Sequence, residues 1–180
     1  MATATAVEPL AGSFRSDLVH SSIGFAIKHS GVSTFRAGFG DVQASLRARE
    51  GGPALEGSAA VESVTIADPP EFRAHVLSPE FFDAERHPRI GFRSSDVELG
   101  ADGSAKVNGE LEIRGVARSV GATGSWASAP GGDRIAIELE TTVDRRDFGM
   151  EWQMEAPGGG DILGYDVTIT VALELIRQED

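Results

Sequence analysis

Apolar and polar residues alternate along most of this chain, and the alternation is sharpest over 20–39. Ile23, Phe25 and Ile27 share one parity, while Ser22, Gly24, Ala26 and Lys28 take the other. A period of two sends successive side chains to opposite faces, so this stretch predicts a strand with one apolar face. His29 keeps the apolar parity, which aims its imidazole at the same interior near the strand's end. Ser30 and Gly31 break the run, and the chain restarts through Val32, Thr34 and Phe35. An apolar wall ending in a polar group suits a long greasy molecule with a polar head. It suits an ordinary core strand equally well.

The same period recurs downstream. Phe14 to Asp17 reads as a short edge strand, and Val42, Ala44 and Leu46 carry the next apolar face. After a Gly-Gly-Pro turn at 51–53, a strand over 54–66 changes parity near Val61, as a bulge would make it do. Further one-faced runs follow: Val107, Gly109, Leu111 and Ile113; then 116–126; then Ile135, Ile137 and Leu139; and finally Val167 through Leu175. Asp68-Pro69-Pro70 interrupts them and predicts a helix start, with Asp68 as N-cap and Pro69 in the first turn. The following residues put Phe72, His75 and Val76 on one helical face. The count is about eight antiparallel strands joined mostly by short turns. That is an all-β chain, read as an up-and-down eight-stranded antiparallel barrel with a short helical insert around 70–83, and such a barrel has room for one small ligand. Residues 1–12 read as a disordered leader and 13–178 as a single domain.

Composition narrows the function classes. At 180 residues the chain is long enough to bury a core without staples, and with no cysteine it has no disulfide or thiolate chemistry. A net charge of −12, unrelieved by any basic run, excludes nucleic acid as a partner. The first residues have no basic segment followed by an apolar one, and no later stretch reaches membrane-spanning length, so a cytoplasmic protein is expected.

Candidate chemistry is sparse. None of the four histidines forms a His-x-His or His-x-x-x-His pair beside a carboxylate, so no metal site is expected, and no cofactor motif is present. His29 and His75 are candidates for polar groups at a cavity mouth, with a structural role as the even alternative. Asp147-Phe148-Gly149 copies a kinase magnesium string without its companion motifs and reads instead as a turn anchored by Phe148 against the barrel rim or a cavity wall. Arg114, Arg145 and Arg146 lie at strand ends or in that turn, where a guanidinium would pair with a ligand phosphate. Gly109 on an inward parity would help hollow the barrel.

Five blocks, in order, resemble the YceI-like polyisoprenoid-binding family. They are Asp17 with His20-Ser21; Phe25-x-Ile27-Lys28-His29 with Gly38-Phe39; His75-x-x-Ser78-x-x-Phe81-Phe82-Asp83 with Pro88, Ile90 and Phe92; Gly109-x-Leu111-x-Ile113-x-Gly115-Val116; and Arg145-x-x-Phe148-Gly149-Met150-x-Trp152. Together they span roughly 14–175. The chain departs from the pattern where Ala74 replaces an Asp before His75, and where Phe14 replaces a Trp or Tyr. The resemblance implies a lipocalin-like barrel whose apolar cavity binds a polyprenyl phosphate, an isoprenoid quinone or a similar long-chain lipid, as carrier, store or sink and not as an enzyme. The ligand-binding residues it implies, taken with the parities, are Ile23, Phe25, Ile27, His29, Phe39, Phe72, His75, Phe82, Phe92, Leu111, Arg114, Phe148 and Trp152. Two readings stand beside it: an enzyme on a lipophilic substrate with His29 or His75 as acid-base group, and a stress-linked structural protein with an incidental cavity. The expected partner is a long-chain lipid, with a homodimer left open.

Overall fold

The computed structural model describes residues 10–179; the first nine residues of the expected leader lie outside them. From Leu10 the chain is tied down. Leu10 packs on the core, Arg177 donates to the Ala11 carbonyl, and Ala48 donates to that of Gly12. The strands are β1 (Ser13–Ser16), β2 (Ser22–His29), β3 (Ser33–Phe39), β4 (Val42–Arg47), β5 (Ala54–Ala60), β6 (Arg89–Leu99), β7 (Ser104–Ile113), β8 (Val116–Ser128), β9 (Arg134–Asp144) and β10 (Leu163–Arg177). Among the described residues one α-helix, α1 (Pro70–Leu77), lies in the β5–β6 connection.

These ten segments form an eight-stranded ring, because two pairs of them each act as one bent strand. β1 and β2 lie along the same edge of β10, with Ser16 opposite Leu175 and Ser22 opposite Ala172. β3 pairs with β2 and β4 with β1, so the next strand bends at 40–41 in register with the first. All pairings are antiparallel, and full closure leaves little free edge. β1 is therefore not an edge strand. It closes the ring between β4 and β10, and Phe14 is 1% exposed.

Two local expectations are corrected. The parity change near Val61 is not a bulge: β5 stops at Ala60 and a 3-10 turn occupies Val61–Ser63. The N-cap of α1 is Pro69, without a side-chain cap, rather than Asp68. A residue before proline is pushed out of the α region, and Pro69 precedes Pro70 with ψ at 153°, so the helix cannot start earlier.

One end of the barrel is solid. Leu46, Val107, Ile135, Ile137 and Leu175 are fully buried there beside Phe14, and the Trp126 indole donates to the Gly100 carbonyl at 2.8 Å. The other end is looser. β8 pairs with β9 only from Thr123 to Ser128; beyond that, Thr141 Oγ1 donating to the Gly121 carbonyl at 2.8 Å ties them. A 3-10 turn at Arg145–Phe148 follows β9, and its Phe148 packs with Leu111, Ile113 and Met150, against Val116 and Val120 of β8. The β7–β8 hairpin turns on Arg114 and Gly115, whose φ values of +55° and +71° are those a two-residue hairpin requires.

Candidate ligand cavity

Between the solid end and the α1 insert lies a cavity of about 810 Å³, within the range of small-molecule sites. Alternation builds its wall. Ile23, Phe25 and Ile27 of β2 enter it, as do Val107, Leu111 and Ile113 of β7, and Val167, Ile169, Val171 and Leu173 of β10. The insert supplies Phe72, His75 and Val76 from α1, then Phe81 and Phe82. An aromatic cluster centres on Phe25, which lies 5.7 Å from Phe39, 6.1 Å from Phe82 and 6.4 Å from Phe35 between ring centroids; Phe35 in turn stands edge-on to Phe72 at 5.4 Å. A second, open depression of about 1300 Å³ lies among outward-facing polar side chains such as Gln43, Arg47, Glu56 and Arg93. Its exposure makes it a poor place to sequester an apolar molecule.

Polar groups gather at the loose end. His29 sits there, opposite Leu163 in the β2–β10 pair, with Ser33 and Thr34 beside it in the lining. His75 stands edge-on to Phe81 at 5.0 Å and to Trp152 at 4.9 Å, and its Nε2 lies 2.6 Å from Glu80 Oε2. Arg145 also lines the cavity although it is only 2% exposed. Its guanidinium donates to the carbonyls of Gly164 (2.8 Å), Met150 (2.5 Å) and Leu163 (3.4 Å), and stands 4.8 Å from the Tyr165 ring centroid. Burial lowers its pKa from the ordinary arginine value. Next to it, Arg146 pairs with Asp144, whose carboxyl is held below the usual carboxylate range first by that side chain.

Of the residues named from the sequence, Ile23, Phe25, Ile27, His29, Phe39, Phe72, His75, Phe82, Phe92, Leu111 and Trp152 line this one cavity. Arg114 and Phe148 do not. Arg114 donates to the Gly149 carbonyl at 2.7 Å on the outside of the hairpin, and Phe148 stands behind the wall as a wedge between β8 and β9. Gly109 does face inward, yet it does not hollow the barrel, because the Phe92 ring fills the place of its missing side chain. Phe35, Met150 and Met154 are among the further lining residues that the sequence did not single out, and Arg145, one of the three arginines considered for a ligand phosphate, lines the cavity as well. Phe35 was within reach, since it pairs with Ile27 and shares its inward face; the others come from irregular segments, where parity says nothing.

A family model for the YceI-like domain matches residues 14–175. The chain belongs to the YceI-like family. A UPF0312 protein of Pseudomonas aeruginosa is 27% identical over 182 residues, covering 97% of this chain and 92% of its own. Another from Yersinia enterocolitica is 30% identical over 135 residues, 72% of this chain and 70% of its own. Among solved structures, BcnA of Burkholderia cenocepacia superposes with a TM-score of 0.73 at 21% identity, over 88% of this chain and 98% of that one. A polyisoprenoid-binding domain from Saccharophagus degradans gives 0.74 at 11% identity, over 94% and 100%.

Within this YceI-like barrel the first family block has a structural task. Asp17 Oδ2 lies 3.1 Å from His20 Nδ1, and Arg134 pairs with both Asp17 and Glu174. Ser21 Oγ donates to the Glu174 carbonyl at 3.2 Å. These bonds pin the break between β1 and β2 onto β10, where a continuous ladder is interrupted. Asp17, His20 and Glu174 fall within 4.8 Å of one another, but Arg134 already answers the carboxylates. No helix among the described residues is long and apolar enough to cross a membrane.

Proposed function

We propose that this YceI-like barrel binds a polyisoprenoid or similar long-chain amphiphile, such as a polyprenyl phosphate or an isoprenoid quinone, as a non-enzymatic carrier, store or sink. The observation that carries the reading is the cavity itself: an apolar tube closed at one end, with His29, His75 and Arg145 at the other. An amphiphile fits that polarity with its tail inward. The fold shared with a polyisoprenoid-binding domain of Saccharophagus degradans supports it. At about 30 Å³ per heavy atom, the share of a water molecule in the liquid, the cavity has room for on the order of five isoprene units. Each buried CH₂ contributes about 0.8 kcal/mol, so four units already offset an association cost of roughly 4–15 kcal/mol. Native mass spectrometry of protein purified from its own host is the test, with a bound lipid expected. Repeated absence of lipid, together with no rise in melting temperature when isoprenoids are added, would sink the reading.

The enzymatic alternative rests on the contact between His75 and Glu80, a histidine held by a carboxylate beside the cavity, as a general base would be. It requires turnover of a lipid or ester that collapses in His75→Ala while lipid binding survives.

A further inference from the structure

We propose that Arg145 makes the mouth end of the cavity an oxyanion site, so that the lipid taken there ends in a phosphate or carboxylate and not in a neutral quinone or alcohol. This rests on the lipid-binding reading above and names the head group it leaves open. Arg145 is the cationic side chain of the cavity wall, and among the described residues it forms no ion pair with a carboxylate. The nearest acid in sequence, Asp144, is engaged by Arg146, whose Nη2 and Nε reach its oxygens at 2.5 and 3.0 Å. A guanidinium offers five N–H donors, and the three carbonyls it meets use three of them. Carbonyl dipoles and the Tyr165 ring soften the burial of the charge without neutralising it. Burial lowers the pKa of Arg145 against the pull of Tyr165, Asp144 and Asp161, so the acids around it do not fully offset the loss of solvent.

Position agrees with charge. The Leu163 carbonyl that accepts from Arg145 belongs to the residue opposite His29, so the two polar groups flank one rung of the barrel at its open end. An oxyanion on the end of a buried tail would meet the guanidinium there, in the bidentate geometry arginine favours. A free anion has no such guide. The chain's net charge of −12 repels it, and only a tail partitioning into the cavity brings the head to this depth.

The experiment compares geranylgeranyl phosphate, geranylgeraniol and inorganic phosphate on the full chain, reading affinity from the fluorescence of Trp152 and from calorimetry. The phosphate lipid is expected to bind at least tenfold more tightly than the alcohol, and inorganic phosphate alone to leave the melting temperature unchanged. Arg145→Gln is expected to bring the ratio of phosphate-lipid to alcohol affinity down to within about twofold, whatever its effect on the two affinities together. Equal binding of the two lipids by the native chain overturns the inference and leaves the lipid reading standing. Binding of neither lipid removes both. Protection by inorganic phosphate equal to that by the lipid also overturns it, since the site would then serve a free anion. Should Arg145→Gln fail to fold for want of its three carbonyl bonds, the native-chain comparison decides the matter alone.

Discussion

The ring of Phe92 occupies the space that a side chain on Gly109 would need: a β-carbon there would stand 2.6 Å from Phe92 Cζ. Ser94 is the residue opposite Gly109, and Phe92 lies opposite Leu111, so the ring reaches diagonally across β6 and β7. Glycine in a strand interior is usually a loss. Here it makes room for the Phe92 ring beside the β7 backbone.

Gly109→Ala should therefore act on both stability and ligand length. Overpacking costs about 1–3 kcal/mol, because the new β-carbon meets the Arg93 backbone carbonyl, which cannot swing aside, as well as the Phe92 ring, which lines the cavity. Calorimetric melting should fall by several degrees, and the longest bound chains should be lost first in native mass spectra. An unchanged melting temperature with an unchanged chain-length distribution would refute the packing argument.

Phe148→Ala and Phe72→Ala should separate wall support from wall surface. Phe148 is 1% exposed behind the cavity, so its loss should cost about 3–5 kcal/mol in urea unfolding. Phe72 is 37% exposed and meets Phe35 edge-on, so its loss should cost only about 1 kcal/mol, the worth of one aromatic pair. Affinity for a prenyl lipid should fall in Phe72→Ala at a temperature where the protein remains folded. Equal destabilisation by the two substitutions would contradict these placements.

Acid should loosen the turn that carries Arg145 and Phe148. Asp144 accepts from the Arg146 backbone N–H at 2.9 Å as the cap of that turn, and the Arg146 side chain is the first cause of its lowered pKa. A carboxyl depressed in the folded state stabilises above its unfolded value, about 3.9, and the contribution is lost as pH falls through the folded value. Asp17 and Asp102 are shifted in the same direction. Melting temperature measured from pH 5 to pH 2.5 should fall, and Asp144→Asn should flatten part of the decline. The same slope in the native chain and in Asp144→Asn would rule out this turn as a contributor.

The barrel and most of its lining were legible because strand parity is a local backbone property. Ile23, Phe25 and Ile27 reach the cavity for the same reason that Val107, Leu111 and Ile113 do: alternate side chains share a face whatever the rest of the chain does. Helical spacing brought in Phe72 and His75, and the ordered blocks added Phe82 and Trp152, although no strand parity reaches any of them. Phe148 shows the limit. Its motif announced a buried anchor, yet whether that anchor faces the cavity or backs its wall depends on β8 parting from β9 beyond Thr123.

By itself, then, the amino-acid order determined the alternation, the turns and the helix, hence an antiparallel barrel with an apolar interior and a net acidic surface. Only the tertiary structure decided that β1 with β2 and β3 with β4 are bent single strands, since the first two share β10 as a partner and the second two pair along the first. It alone also chose among the arginines. Arg114 and Arg145 look alike in sequence, each at a strand end beside a turn. One turn folds outward over Gly149, and the other carries its guanidinium beneath Leu163 into the cavity wall. That choice is made by long-range packing, which no local period encodes.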